Sequence, residues 1–162
     1  MDLEFIYKRR SIRKYKPDSI SKEIIVELLK AAMAAPSGMN RQPWEFIIVT
    51  DASMRAKLAD AHPYAQMAKE APLVIVVLGK KNEKWHIQDC AAATENILIA
   101  AANLGLGTVW CGMDDVKQSP VRKLLNIPED YWVFNLIPTG YPDESPRPRT
   151  QYDEKKIHFE SF

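Results

Sequence analysis

Apolar residues first recur at helical spacing at Ile24, Ile25, Leu28, Leu29 and Ala32, with Lys22, Glu23, Glu27 and Lys30 outside that stripe. Ser21 is a good N-cap for this helix, and Ile20 and Ile25 hold the staple positions around it. The helix runs into Ala31, Ala32, Met33, Ala34 and Ala35, and Pro36 stops it. Residues 44–49 turn aromatic and then β-branched, the pattern of a strand. A helix follows over residues 53–61 and breaks at His62 and Pro63. Residues 64–70 form another short helical turn with Met67 and Ala68 inward. Residues 73–78, after Pro72, are apolar without alternation, so both faces of this strand are expected to be buried. Residues 79–82 read as a loop. The next helix, from residue 84 or 85 to 104, is rich in alanine, and Asp89, Glu95, Asn96 and Asn103 interrupt its apolar character. It is about 30 Å long. A helix apolar nearly all round must be covered on most sides, and a second subunit is the expected cover.

Gly105 ends that helix in the left-handed conformation. Residues 105–112 form a short strand framed by glycines. Ser119 and Pro120 cap and open a helix through residue 125, and residues 131–138 form a strand. Ser145-Pro146-Arg147-Pro148-Arg149 is an extended segment presenting two arginines. The tail, residues 150–162, carries Ile157, Phe159 and Phe162 and is expected to wrap over something. At the other end, residues 1–7 form a short helix whose early acidic residues suit its dipole.

The chain has 162 residues, which fits a single domain, long enough to bury roughly two thirds of its unfolded surface without disulfides or metal. Cys90 and Cys111 lie 21 residues apart with no CxxC, and His62, His86 and His158 are scattered, so no metal site is expected. The longest apolar run is far too short to cross a membrane, and no signal peptide precedes the first charged residues. The expected setting is cytoplasmic, with reduced thiols.

Charge changes the picture locally. Net charge is only +1, yet six of the nine residues 8–16 are Lys or Arg, with Ser11 among them. Such a density of cations is not buried without an anionic partner. Arginine forks and a hydroxyl grip a phosphate with directional hydrogen bonds. The bland reading is a solvated basic patch. A second polar cluster, Ser37, Asn40, Arg41 and Gln42, lies between Pro36 and Pro43 and makes either a connector or a rigid hydrogen-bonding edge. There is no GxGxxG and no GxxxxGK[ST] loop, so a phosphate would be held by side chains.

Together, Arg9-Arg10-Ser11-Ile12-Arg13, Pro36-Ser37-Gly38-Met39-Asn40-Arg41-Gln42-Pro43-Trp44, the Ala-rich helix into Gly105-Leu106-Gly107, and Arg147-Pro148-Arg149 resemble the nitroreductase family of flavin-dependent oxidoreductases. The resemblance spans almost the whole chain. It implies an α+β, three-layer fold with a central, mostly antiparallel sheet flanked by helices, and a homodimer with FMN at the interface. It implies that Arg9, Arg10, Ser11 and Arg13 contact the flavin phosphate and the N1–C2 carbonyl region, and that Arg147 and Arg149 hold the phosphate. Pro36, Ser37, Asn40 and Gln42 match the loop that reaches the flavin bound mainly to the partner. Val109, Trp110, Cys111 and Gly112 match the strand beneath the ring near N5.

The implied activity is NAD(P)H oxidation with ping-pong reduction of nitroaromatic, quinone or related small electrophilic acceptors, with no protein group as catalyst. Residues 49–72 look compact beside longer relatives, which implies an open site and a broad acceptor range. Cys111 stands where many relatives carry an acidic or smaller residue, and reads as packed and inert, with a redox role as the alternative. Other reactions on this fold, namely flavin reduction, ene reduction, dehalogenation and flavin breakdown, stay open, as does a flavin store or sensor. The near-neutral charge disfavours a nucleic-acid binder.

Overall fold

The structure is a computed structural model that describes residues 3–147 and 151–162. The unbroken apolar run 73–78 forms β2 (Leu73–Lys80), hydrogen-bonded antiparallel to β1 (Trp44–Val49) on one side and β5 (Tyr131–Gly140) on the other. Its lack of alternation has the expected cause. Leu73, Ile75 and Val77 pack with Leu28, Ala32, Cys90, Ala93 and Ile97 on one face. Val74, Val76 and Leu78 pack with Leu58, Ala68 and Val121 on the other. Each such side chain contributes on the order of 1.5–3 kcal/mol by leaving water. Helices α2 (Lys22–Met33) and α4 (His86–Asn103) cover the first face. Helices α3 (Ala52–Ala61) and α5 (Asp115–Leu125) cover the second, and α1 (Glu4–Tyr7) lies against α4. This is the three-layer α+β arrangement expected.

The glycine-framed stretch forms two pieces, β3 (Gly107–Thr108) and β4 (Cys111–Gly112), both antiparallel to β5. The register runs straight through, from Gly107 opposite Gly140 to Gly112 opposite Asn135. The interruption falls opposite Pro138. The Val109 amide donates to the Pro138 carbonyl (3.3 Å), but proline has no N–H with which to answer. On its other side β5 carries a bulge. The register with β2 shifts between Val77 and Leu78, so Phe134 is the extra residue, and its ring meets Trp110 edge-on at 5.4 Å.

Helix α2 carries the expected Ser21 cap, and Gly105 takes φ +77° after α4. Two boundaries depart from expectation. Gly79 and Lys80 complete β2 instead of forming a loop. Helix α5 does not start at Ser119 and Pro120. Asp114 caps it, accepting from the Lys117 amide at 2.8 Å, and Pro120 sits inside, forgoing one helical bond to Val116. In the tail, Phe159 and Tyr152 stay exposed in their own chain, at 83% and 77%. Helix α4 buries one side, whereas Ile87 is exposed and Ala91, Ile99 and Ala102 are half-buried. Among the described residues no helix is long and apolar enough to cross a membrane.

Candidate functional site

Residues 9–15 run along the open side of β3. Ser11 forms a parallel bridge with Thr108, and the Ile12 amide donates to the Thr108 carbonyl at 2.9 Å. A Cβ on Gly107 would come within 2.6 Å of the Ile12 side chain, so glycine permits this close approach. Tyr15 is buried with its hydroxyl between the carbonyls of Ile12 (2.6 Å) and Pro138 (3.0 Å), to which it donates its one proton in turn. Burial pushes that hydroxyl well above the ordinary phenol range. The carboxylate of Glu144 accepts from the amides of Arg13 (2.5 Å) and Lys14 (3.2 Å). The main chain that carries the arginines is therefore fixed from three sides.

Two clefts open on this segment. The first, about 470 Å³, is lined by Arg9, Arg10, Ser11 and Arg13 together with Tyr7 and Glu144. Arg9 pairs with Glu95 of α4 at 3.5 Å. Arg10 donates to the carbonyls of Tyr7 (2.8 Å) and Arg147 (3.1 Å), which ties the late basic segment to the early one. Arg147 is exposed, and Arg149 lies outside the described residues. The second cleft, about 350 Å³, is lined by Val109, Trp110, Cys111 and Gly112 together with His62, Pro63, Tyr64 and Met67. Arg13 borders both clefts.

Burial holds both thiols toward their protonated form. Cys111 is buried, and burial pushes its pKa up to about 11 against the opposing pull of Arg13. Cys90 is pushed up to about 12 by burial, with the Asp89 charge adding to it. The packed, inert reading of Cys111 follows from this geometry.

The loop at residues 36–43 lines neither cleft of its own chain. It forms a 3-10 turn (Gly38–Asn40) with Met39, Asn40 and Gln42 at φ 53°, 56° and 48°, the left-handed region that costs residues with side chains. Side chains hold it there. Ser37 Oγ accepts from the Gln42 amide (3.0 Å) and Asn40 Oδ1 accepts from Gln42 Nε2 (3.1 Å). Buried Asp89 accepts from the Gly38 amide (3.0 Å), and Trp85 fills the space against Gly38. Met39 is 83% exposed at the tip.

The chemistry of the first two surfaces is complementary at their junction. A cleft of guanidinium groups and a hydroxyl suits a phosphate. The adjoining cleft, with an apolar and aromatic lining and strand amides, suits a flat heteroaromatic ring. The one carboxylate among the lining residues, Glu144, is already engaged by main-chain amides. These residues fit FMN. The second wall, His62 to Met67, was not singled out as a site by the sequence. His62 stands where a helix breaks before a proline, and that pattern does not tell which strand its ring meets.

Comparison with known proteins agrees with the geometry. The family model described as the nitroreductase family matches residues 6–63 and 61–141. A chain of Methanothermobacter thermautotrophicus, provisionally named NADH dehydrogenase/NAD(P)H nitroreductase, is 42% identical over 99% of this chain and 87% of its own. The solved FMN-dependent nitroreductase of Clostridium difficile superposes with a TM-score of 0.92 at 36% identity, covering 98% of each chain. An iodotyrosine deiodinase of Thermotoga neapolitana is 27% identical over 96% of this chain and 95% of its own. With matched residues running from the basic segment to the end of β5, the chain belongs to the nitroreductase family.

Proposed function

We propose that this chain is an FMN-dependent NAD(P)H oxidoreductase that reduces nitroaromatic, quinone or related small electrophilic acceptors by alternate use of one open site. The observation that carries this reading is the sharing of Arg13 between a cationic cleft and an aromatic-walled one. Bound FMN supplies the centre that takes a hydride from the nicotinamide and passes it on. The protein's part is binding and electrostatics. Arg9, Arg10, Ser11 and Arg13, with Arg147 and Arg149, hold the phosphate and place positive charge by the N1–C2 edge. A cation at that edge stabilises negative charge on the reduced ring. Val109, Trp110, Cys111 and Gly112 form the floor, and Tyr64 and Trp110 border the space left for a flat acceptor. The buried, protonated thiols leave the reaction without a protein nucleophile.

The proposed site takes in two copies of the chain. Pro36, Ser37, Asn40 and Gln42 line neither cleft of their own chain and sit on a loop held by side-chain hydrogen bonds, which suits contact with the partner's flavin. The half-covered face of α4 and the exposed tail supply apolar area for a homodimer. Co-expression of Arg13→Ala and Asn40→Ala chains tests this, since the mixed dimer keeps one intact site where neither parent does.

The direct test is anaerobic. The purified protein shows a flavin spectrum that bleaches within seconds on adding NADH or NADPH, and returns on adding a quinone or nitroaromatic. A flavin that stays oxidised for minutes with both donors favours a store or sensor. A protein that takes up no FMN overturns the reading. The deiodinase relative supports reductive dehalogenation as a second reading, and iodide release from 3-iodotyrosine by the prereduced protein decides it.

A further inference from the structure

A third cleft, about 390 Å³, shares no lining residue with the first two. Half-buried Ile20 and Ile25 and buried Leu73 give it an apolar lining. Its charged lining is Arg55, Lys69 and Glu70. Arg55, half-buried on α3, is held by main-chain carbonyls. Nε donates to Thr50 (3.3 Å), and Nη1 donates to Lys69 (3.2 Å) and to Ala71. Nη2 has no acceptor among the described residues, and the guanidinium forms no ion pair with any of them. Lys69 is paired with Asp60 at 2.8 Å. The Glu70 carboxylate has no cationic partner among the described residues.

One cleft thus holds an uncommitted cation and an uncommitted anion that do not pair with each other, beside apolar side chains. An inorganic phosphate would suit Arg55 and be opposed by Glu70. A simple amine would suit Glu70 and be opposed by Arg55. A molecule that carries both charges and an apolar body suits all three parts of the lining.

We propose that this cleft binds the zwitterion of a free amino acid with an apolar side chain. The ligand carboxylate accepts from Arg55 Nη2, with the hydroxyls of Ser19 and Thr50 in the same lining as further donors. The ligand ammonium pairs with Glu70, and the apolar side chain leaves water against Ile20, Ile25 and Leu73. Because three carbonyls fix Arg55 beforehand, binding costs little of its side-chain freedom. Glu70 is exposed, so its pairing adds less than the bonds of Arg55. For a ligand as small as leucine the dissociation constant is expected on the order of 1 mM.

The test titrates L-leucine into ¹⁵N-labelled protein in the presence of excess FMN. Leucine has no flat ring to stack on a flavin. Saturable shifts are expected at the Arg55 Nε–H and at the amides of Thr50 and Glu70, with Arg13 and Trp110 unmoved. The compound 4-methylpentanoate keeps the carboxylate and the branched chain but lacks the ammonium, and is expected to bind about five-fold more weakly. The amine 3-methylbutylamine lacks the carboxylate and is expected to bind about thirty-fold more weakly. In Glu70→Gln the preference for L-leucine over 4-methylpentanoate is expected to vanish.

No saturable shift at Arg55 and Thr50, or shifts confined to Arg13 and Trp110, overturns the proposal. Equal binding of L-leucine and 4-methylpentanoate by the wild type overturns it as well, as does a preference that survives Glu70→Gln. Should that variant not fold, the comparison of the three compounds on the wild-type protein decides.

Discussion

Residues 9–13 and residues 37–42 are both short and mostly polar, and both are assigned to the same cofactor, yet they are held by opposite means. The first is held by register. Its main chain bonds to Thr108 and to the carboxylate of Glu144, and it faces the clefts of its own chain. The second is held by side chains against unfavourable dihedrals and lines neither cleft. A segment fixed by register moves only if the sheet edge moves. A segment fixed by a few side-chain bonds can lose its shape while the fold persists. The two halves of the proposed site should therefore fail differently.

The largest expected effect comes from Gly107→Val. The added side chain meets Ile12 within van der Waals distance, pries the first segment from the edge strand, and costs on the order of 3 kcal/mol. Urea unfolding is expected to show the loss, together with absent FMN binding. Next is Asp89→Leu, which strands the Gly38 amide and costs about 2 kcal/mol. Unlike the first variant, each chain should retain its basic cleft and still bind phosphate-bearing flavin weakly, seen by equilibrium dialysis.

Arg13→Ala should leave stability nearly unchanged and lower FMN affinity by about thirty-fold, near 2 kcal/mol. Equal losses for FMN and riboflavin would place Arg13 at the ring and not at the phosphate. Ser37→Ala removes the acceptor for the Gln42 amide and should cost about 1 kcal/mol in the loop alone, detectable as faster amide exchange at Gln42.

The smallest effect concerns the thiols. Both keep their protons to higher pH than an exposed cysteine, so the unfolded chain ionises first and stability falls as pH rises above about 9. Alkylation of the folded protein should reach Cys111 (about 11), beside Arg13, before Cys90 (about 12), beside Asp89.

Much of the fold was legible in the sequence because its signals are local. The Ser21 cap, the two-sided burial of residues 73–78 and the left-handed Gly105 depend on near neighbours. The start of α5 was misplaced because two capping signals compete, Asp114 and Ser119-Pro120, and the earlier one wins by closing a good bond to Lys117. The basic segment and residues 109–112 were both recognisable from motifs, but their meeting at Arg13 depends on a pairing with β3 across 97 residues of chain, from Ser11 to Thr108. The contact of His62 with the Gly112 carbonyl was not legible, since the two lie 50 positions apart. Asp89 read as an ordinary helix residue because nothing in its neighbourhood announces that a distant loop amide, that of Gly38, will come to it.

The pairing of Ser11 with Thr108 has a consequence outside chemistry. Beyond β3 the sheet would end in an open edge, and open edges recruit strands from other molecules. The segment that carries the arginines closes that edge and fills its approach with like charge. Damage to this segment would therefore expose a sticky border as well as remove a ligand-holding surface. Variants lacking it should be found in inclusion bodies more often than as soluble, colourless protein.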